Sequence, residues 1–311
     1  VKEFRRDRCL DQSAALAFRS ALVTFPTMLV LVSLLGMLGE TSRVMRFTVD
    51  AISSLGSDET ADSVRALFAE LAKAPAGYAF ALGLVLLLWS ASGYVTAFGR
   101  AMNSIYGVSE GRTAWKLRVA VIPLGALLVL LLLLSAAALL LSGEMLSDLD
   151  LSDAAVLAWN IVRVPLACVL AATVIALLYY FSPNIKHPRL RWMSVGAAGA
   201  LTVWVFASLG LTLYFANFSS FDRSYGAIGG ALVFLIWLWL SNFALLLGGE
   251  FDAELERMRQ LRSGRAAEAN IFVQLRNTSA VDMAQNVELH DVIEGRAIKD
   301  EARRAGADHT D

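Results

Sequence analysis

The chain has 311 residues, is 57% hydrophobic and carries a formal net charge of −1. Soluble domains average about 45–50% apolar residues. Here the excess lies in long blocks at a mean hydropathy of +0.56, which excludes an ordinary water-soluble domain. The near-neutral charge leaves no basic surplus for nucleic acid, and Cys9 and Cys168 have neither disulfide nor metal-site spacing.

Six charge-free runs follow in chain order: residues 20–39, 77–99, 119–143, 164–185, 192–221 and 224–249. A bilayer-spanning helix needs roughly 20 apolar residues, and backbone in lipid must satisfy its own hydrogen bonds, which leaves helix as the state for each run. The last two runs exceed that need, so their crossing parts are read as about 192–216 and 226–249. The first run has a basic flank (Arg5, Arg6, Arg8) like a signal peptide, but it is too long and no A-x-A site follows Gly39. It is read as a retained span. Pro26 within it removes one backbone donor and predicts a kink, which shapes packing or a transport site. The predicted fold is an all-α polytopic membrane helical bundle of six transmembrane helices over residues 1–262.

Lys and Arg counts orient the bundle. Sixteen basic residues lie at the N-terminus, after runs two and four and at the start of the C-tail, against six on the opposite side. Both termini are therefore predicted to be cytoplasmic. In the first outer loop Val64, Leu67, Phe68 and Leu71 form a helical apolar stripe, and Met45, Val49 and Ile52 suggest another. These predict amphipathic extracytoplasmic helices that cap the bundle or lie in the interface. Ser152 or Asp153 is a predicted N-cap after the acidic turn at 144–153. Helical pattern persists to Arg262, and residues 263–311 read as a mostly disordered cytoplasmic tail.

Several residues stand out chemically. Between runs five and six, FANFSSFDRSYGAIGGALVF must reverse the chain over residues 219–224. Asp222 and Arg223 sit at that bend, with Tyr225 beside them and with Gly226 and Gly230 at close-packing spacing. The reading is an outer corner first and a gate second, not a catalytic site. Within the runs, Tyr94, Tyr179, Asn217 and Asn242 read as interhelical hydrogen-bonding groups or as a polar lining, and Asn242 lies deep enough to need a partner. Past run six, Glu250, Asp252 and Glu254 predict a charge network with Arg100, Lys116 or Lys186, or else a cytoplasmic vestibule. The histidines are His187, His290 and His309, without metal-ligand spacing. The runs hold no Asp, Glu, Lys or Arg. No catalytic, metal or cofactor site is predicted.

Three motifs in order, FRRDRCLDQSAALAFRSALVTFPTMLVLVSLLG, YYFSPN and YGAIGGALVFLIWLWLSNFALLLGGEFDAELE, resemble the YihY/BrkB family of membrane proteins over residues 4–262. The resemblance implies a six-helix bacterial inner-membrane protein, from a group with a virulence branch and a branch mislabelled ribonuclease BN. It brings no agreed activity. Arg19, at the cytoplasmic mouth, stands where the resemblance leads to an aromatic. The leading functional expectation is translocation of a small solute or lipid-like amphiphile; the alternative is a non-transporting envelope-integrity or scaffold protein. The expected partner is the lipid bilayer, not nucleic acid, with a homo-oligomer or envelope partner left open. A carrier is expected to tolerate loss of the chain after about Ser263, and a scaffold is not.

Overall fold

The computed structural model describes residues 8–37, 66, 76–140, 152–186, 194–217, 219–268, 271–283 and 291–299. The predicted outer-loop helices therefore lie almost wholly outside the described residues. Six long helices follow one another: α1 (Cys9–Met37), α2 (Ala76–Ile105), α3 (Ala114–Leu140), α4 (Asp153–Phe181), α5 (Val195–Asn217) and α6 (Ser219–Arg262). Five of them are long and apolar enough to cross a membrane, and α5 contributes a shorter apolar stretch, Val195–Leu211. Among the described residues, β-type pairing is confined to one antiparallel bridge between Ile185 and Leu275. The molecule is an all-α polytopic membrane bundle.

The helices outrun the charge-free runs. A charge at the membrane edge ends hydropathy but leaves the backbone ladder intact. Thus α1 starts at Cys9, with Cys9, Ser13, Leu16 and Ala17 buried at helical spacing, and α6 continues to Arg262. Its 44 residues span about 66 Å, twice a hydrocarbon core. The α4 helix stops earlier than its run, at Phe181, because Pro183 has no N–H to extend the ladder. Ser152 occupies the N-cap of α4 without a side-chain cap bond. Pro26 sits inside α1 without ending it.

Packing neighbours run α5–α6–α1–α2–α3–α4, a ring whose thinnest seam lies between α4 and α5. At the α5–α6 crossing Gly196 and Gly248 meet backbone to backbone, and a methyl on either would strike the other's carbonyl oxygen. Small residues allow such contact where lipid offers no hydrophobic drive for association. The larger core cluster, which includes Phe98, Met102, Leu178 and Leu246, sits toward the end where α6 leaves the bilayer, called here the tail end. A smaller cluster of Val30, Leu87, Ala91 and Val129 lies further along the bundle. Around the outside, Phe25, Val85, Ile161, Phe206 and Leu213 are exposed, as a lipid-facing belt requires.

The segment just after α6, which composition assigns to the tail, packs against the bundle. Gly264, at φ +79, closes α6 with paired bonds from Arg265 N to the Gln260 carbonyl and from Gly264 N to the Leu261 carbonyl. Residues 271–283 then strap the tail end of the bundle. Gln260 exchanges two hydrogen bonds with the Phe272 backbone, at 3.0 and 2.9 Å. Asn184, wholly buried, donates to the carbonyls of Ser109 and Asn277, and its Oδ1 accepts from Asn277 N. Its own backbone N–H donates to Asn103 Oδ1 at 2.8 Å, and its carbonyl accepts from Arg276 N. Arg276 and Arg112 donate to the last carbonyls of α4, at Tyr180, Phe181 and Ser182. These cations offset the negative end of the α4 dipole, which has no basic residue in its own last turn.

Two stability outcomes follow. Gly248→Val is expected to cost about 1–3 kcal/mol by overpacking, read as a lower midpoint of thermal unfolding in detergent. Gly199→Ala, with nothing within 4 Å, should leave that midpoint nearly unchanged. Asn184→Ala is expected to cost about 3 kcal/mol, because several buried groups lose partners together. Hydrogen exchange should show residues 271–283 released in that variant.

Candidate functional site: two stacked cavities and an aromatic layer

All six helices line a central cavity of about 400 Å³. Its wall is almost entirely apolar, from residues such as Leu128, Leu132, Val174 and Leu201. One polar cluster breaks that wall. The Tyr94 hydroxyl donates to Asn242 Oδ1 at 2.9 Å, and Asn242 Nδ2 donates to Ser20 Oγ at 3.2 Å and to the Leu238 carbonyl at 2.8 Å. Helices α1, α2 and α6 are thereby joined through one amide. Beside it, Trp204 Nε1 donates to Ser241 Oγ at 2.9 Å, tying α5 to α6. No Asp, Glu, Lys or Arg lines this cavity.

A second cavity, of about 450 Å³, lies toward the tail end. Its wall is charged, with Lys186, Asp252, Glu256, Arg259 and Arg265, and the strap residues Phe272–Gln274 form part of it. Tyr106 also lines it, and burial together with Asp252 and Glu256 pushes that hydroxyl above its ordinary range, so it stays neutral. Residue order along α2, α4 and α6 stacks this cavity beneath the central one. Between them stands an aromatic ladder. Phe98 is wholly buried and stacks on Tyr94 (6.3 Å between centroids) and on Tyr179 (6.1 Å). The Tyr179 hydroxyl donates to the Leu245 carbonyl of α6. Met102, packed against Gly249, completes the layer.

The sequence-predicted residues fall out as follows. Tyr94 and Asn242 meet in the central polar cluster, and Tyr179 belongs to the layer below it. Asn217 ends α5, and its side chain lies outside the described residues. The bend expected over 219–224 is corrected: α5 runs to Asn217 and α6 is already helical from Ser219. Asp222, Arg223, Tyr225 and Gly226 stand on the first two turns of α6, with side chains outside the described residues, and Gly230 follows in the same helix. An acid at a helix start suits the dipole, which favours helix where a bend is expected.

The residues expected to form a charge network or a cytoplasmic vestibule are placed as follows. Arg100 and Lys116 are exposed, Glu254 pairs with Arg257 at 3.1 Å, and Asp252 accepts from Gly196 N at 2.8 Å. Lys186 shares the tail-end cavity with Asp252, and Glu250 is buried. The reason is local: i,i+3 partners and a helix N-terminus lie nearer to these acids than the basic loops do.

Missed by the spacing arguments are Asn103, Glu110, Arg112 and Asn184. Glu110 accepts a bidentate pair from Arg112, at 2.8 and 3.0 Å, and a bond from Asn103 at 3.1 Å. Burial alone would raise its carboxyl pKa, but the Arg112 and Asn103 bonds outweigh it and hold the carboxyl below its ordinary value. The YYFSPN motif was the available signal, yet Asn184 reads from sequence only as a helix stop.

An all-α membrane protein with a cavity lined by all six helices is the class these features define. The family model described as Virulence factor BrkB matches residues 1–271, and the chain belongs to that family. It is 30% identical over 189 residues to the ribonuclease-like protein YfkH of Bacillus subtilis (strain 168), covering 60% of this chain and 68% of that one. It is 27% identical over 280 residues to a UPF0761 membrane protein of Alkalilimnicola ehrlichii (strain ATCC BAA-1101 / DSM 17681 / MLHE-1), covering 86% of this chain and 60% of that one. With the UPF0761 membrane protein VSAL_I2938 of Aliivibrio salmonicida (strain LFI1238) it shares 25% identity over 261 residues, 80% of this chain and 79% of its relative. No solved structure matches.

The lowered Glu110 pKa has a pH consequence. A carboxyl depressed in the folded state contributes stability that is full above its unfolded value and is lost as pH falls through the folded value. The hydrogen-exchange protection of residues 271–283, taken relative to the intrinsic rate at each pH, should therefore be constant from pH 7 down to about 4.5 and should fall below that. In Glu110→Gln the protection should be lower at pH 7 and insensitive to acid.

Proposed function

We propose that this chain is a bacterial inner-membrane translocator of a lipid-like amphiphile, with its tail end in the cytoplasm. The observation that carries the reading is the central cavity, lined by all six helices, apolar on every side but for the Ser20–Tyr94–Asn242 cluster. An apolar wall with a few convergent polar groups suits a ligand having an apolar body and one polar end. A small ion is a poor fit, because it would find no charge there to replace its hydration. In this reading the Tyr94–Phe98–Tyr179 layer is the closed barrier, and the charged cavity beneath it is the cytoplasmic vestibule. The excess of Lys and Arg at this end supports the orientation. The thin α4–α5 seam supports lateral passage from the bilayer.

Hydrolysis has weaker support. Among the described residues no three His, Cys, Asp or Glu side chains are grouped to hold a metal ion. His187, His290 and His309 lie outside the described residues. The activity proposed is translocation and not catalysis.

The strap changes the truncation test that separates carrier from scaffold. Removal after Ser263 would strip a wall from the tail-end cavity and partners from Asn184, so the informative cut falls after residue 283. The experiment is reconstitution of the full chain in liposomes carrying labelled phospholipid, lysophospholipid and small solutes. Protein-dependent lipid movement is expected. Phe98→Ala should raise it severalfold by thinning the barrier, and Asn242→Leu should lower it severalfold. The chain ending at residue 283 should behave as the full one does. Folded protein that moves nothing across the panel would refute translocation and favour the scaffold reading.

A further inference from the structure

Arg19 of α1, Arg100 of α2 and Arg118 of α3 gather on one outer face of the bundle near its tail end. Arg19 Nη1 donates to the Gly93 carbonyl at 3.3 Å, which lays its guanidinium across α2. Arg118 sits over the Trp89 indole, with Cζ 3.7 Å from the ring centroid. The charges of both Arg100 and Arg118 reach Arg19. Among the described residues none of the three pairs with a carboxylate, since the ion pairs there join Arg112, Arg257 and Arg259 to other acids. Three cations crowded together without an acid repel one another, and an anion from outside the chain would relieve that.

The surroundings indicate where such an anion comes from. Trp89 is 57% exposed, and Phe18, Leu22, Val85 and Val119 beside these arginines are exposed apolar residues. The cluster therefore rims a lipid-facing surface. Gly93 is about 10 Å from Arg100 along α2, and helix side chains lean toward the N-terminus, so the Arg100 side chain is directed back toward the Arg19 guanidinium at headgroup depth. Tryptophan is enriched at that level, and long basic side chains bury their stems in apolar surface while their heads reach polar groups.

We propose that Arg19, Arg100 and Arg118 bind the phosphate of one anionic phospholipid in the leaflet at the tail end. Arginine matches phosphate oxygens with paired donors. The acyl chains lie along the exposed apolar residues of α1 and α2. A net-anionic headgroup is favoured over a zwitterionic one, because among the described residues no carboxylate pairs with these arginines. Basic pockets between membrane helices are a known place for such headgroups. This site is separate from the central cavity and stands whether or not the chain translocates anything.

The test uses the full chain purified in neutral detergent. Dioleoyl phosphatidylglycerol or dioleoyl phosphatidylcholine is added at equal mole fraction, and retained lipid is counted by native mass spectrometry. Phosphatidylglycerol should be preferred by about tenfold or more, and Arg19→Gln/Arg100→Gln/Arg118→Gln should abolish the preference. Arg100→Gln alone, an exposed change that spares the fold, should cut it by about fivefold. Millimolar inorganic phosphate should not displace the lipid. Equal retention of the two lipids, a preference undiminished in the variants, or displacement by inorganic phosphate would overturn the proposal. Should the triple variant fail to fold, an unchanged preference in Arg100→Gln is enough to overturn it.

Discussion

Lipid gives apolar helices no hydrophobic reason to adhere, so this bundle depends on the buried hydrogen-bond knot around Asn184 where the hydrocarbon ends. That one amide reaches the α2–α3 connection through Ser109 and the strap through Asn277, while its backbone reaches α2 through Asn103. Arg112 and Arg276 cap α4 in the same place. In a low-dielectric setting such a network is strong when every member is satisfied and costly when one is removed. The larger apolar core lies against it, and the two together make the tail end the firm half of the molecule.

The other half is built differently. Above the aromatic layer the helices separate enough to leave a cavity, and their contacts there are few polar bonds and small apolar patches. The glycine pair at positions 196 and 248 draws α5 onto α6 at the firm end, while α5 barely meets α4. A ring that is tight at one end and thin at one seam can move without unfolding, since packed interfaces shift between discrete arrangements more readily than they deform. The aromatic ladder sits where the two halves meet. Its position, more than any single side chain, gives the translocation reading its physical content.

The charged residues sort by depth. Those beyond the membrane edge pair locally, as Glu254 does with Arg257, or serve as caps. At the edge, Arg19 donates to the Gly93 carbonyl and Arg118 lies over Trp89, and no described acid pairs with either. The same residue type thus has two roles, decided by whether acids or lipid lie within reach.

The amino-acid sequence by itself determined the class. Charge-free runs of twenty residues and more leave helices in a bilayer as the only way to satisfy the backbone, and that constraint is local. It also placed Tyr94, Tyr179 and Asn242 among the internal polar groups, because buried polar side chains in long apolar runs are few and need partners. Tertiary structure decided the rest. Which helices adjoin, that Asn242 meets Tyr94, and that Asn184 grips a segment some ninety residues away are long-range pairings that no periodicity encodes. The tail reads as polar and weakly patterned, so composition predicts disorder; residues 271–283 are ordered by hydrogen bonds to a surface that exists only once the bundle has formed. The bend expected at Asp222 was also overturned by the structure, in which α6 begins within two residues of the end of α5.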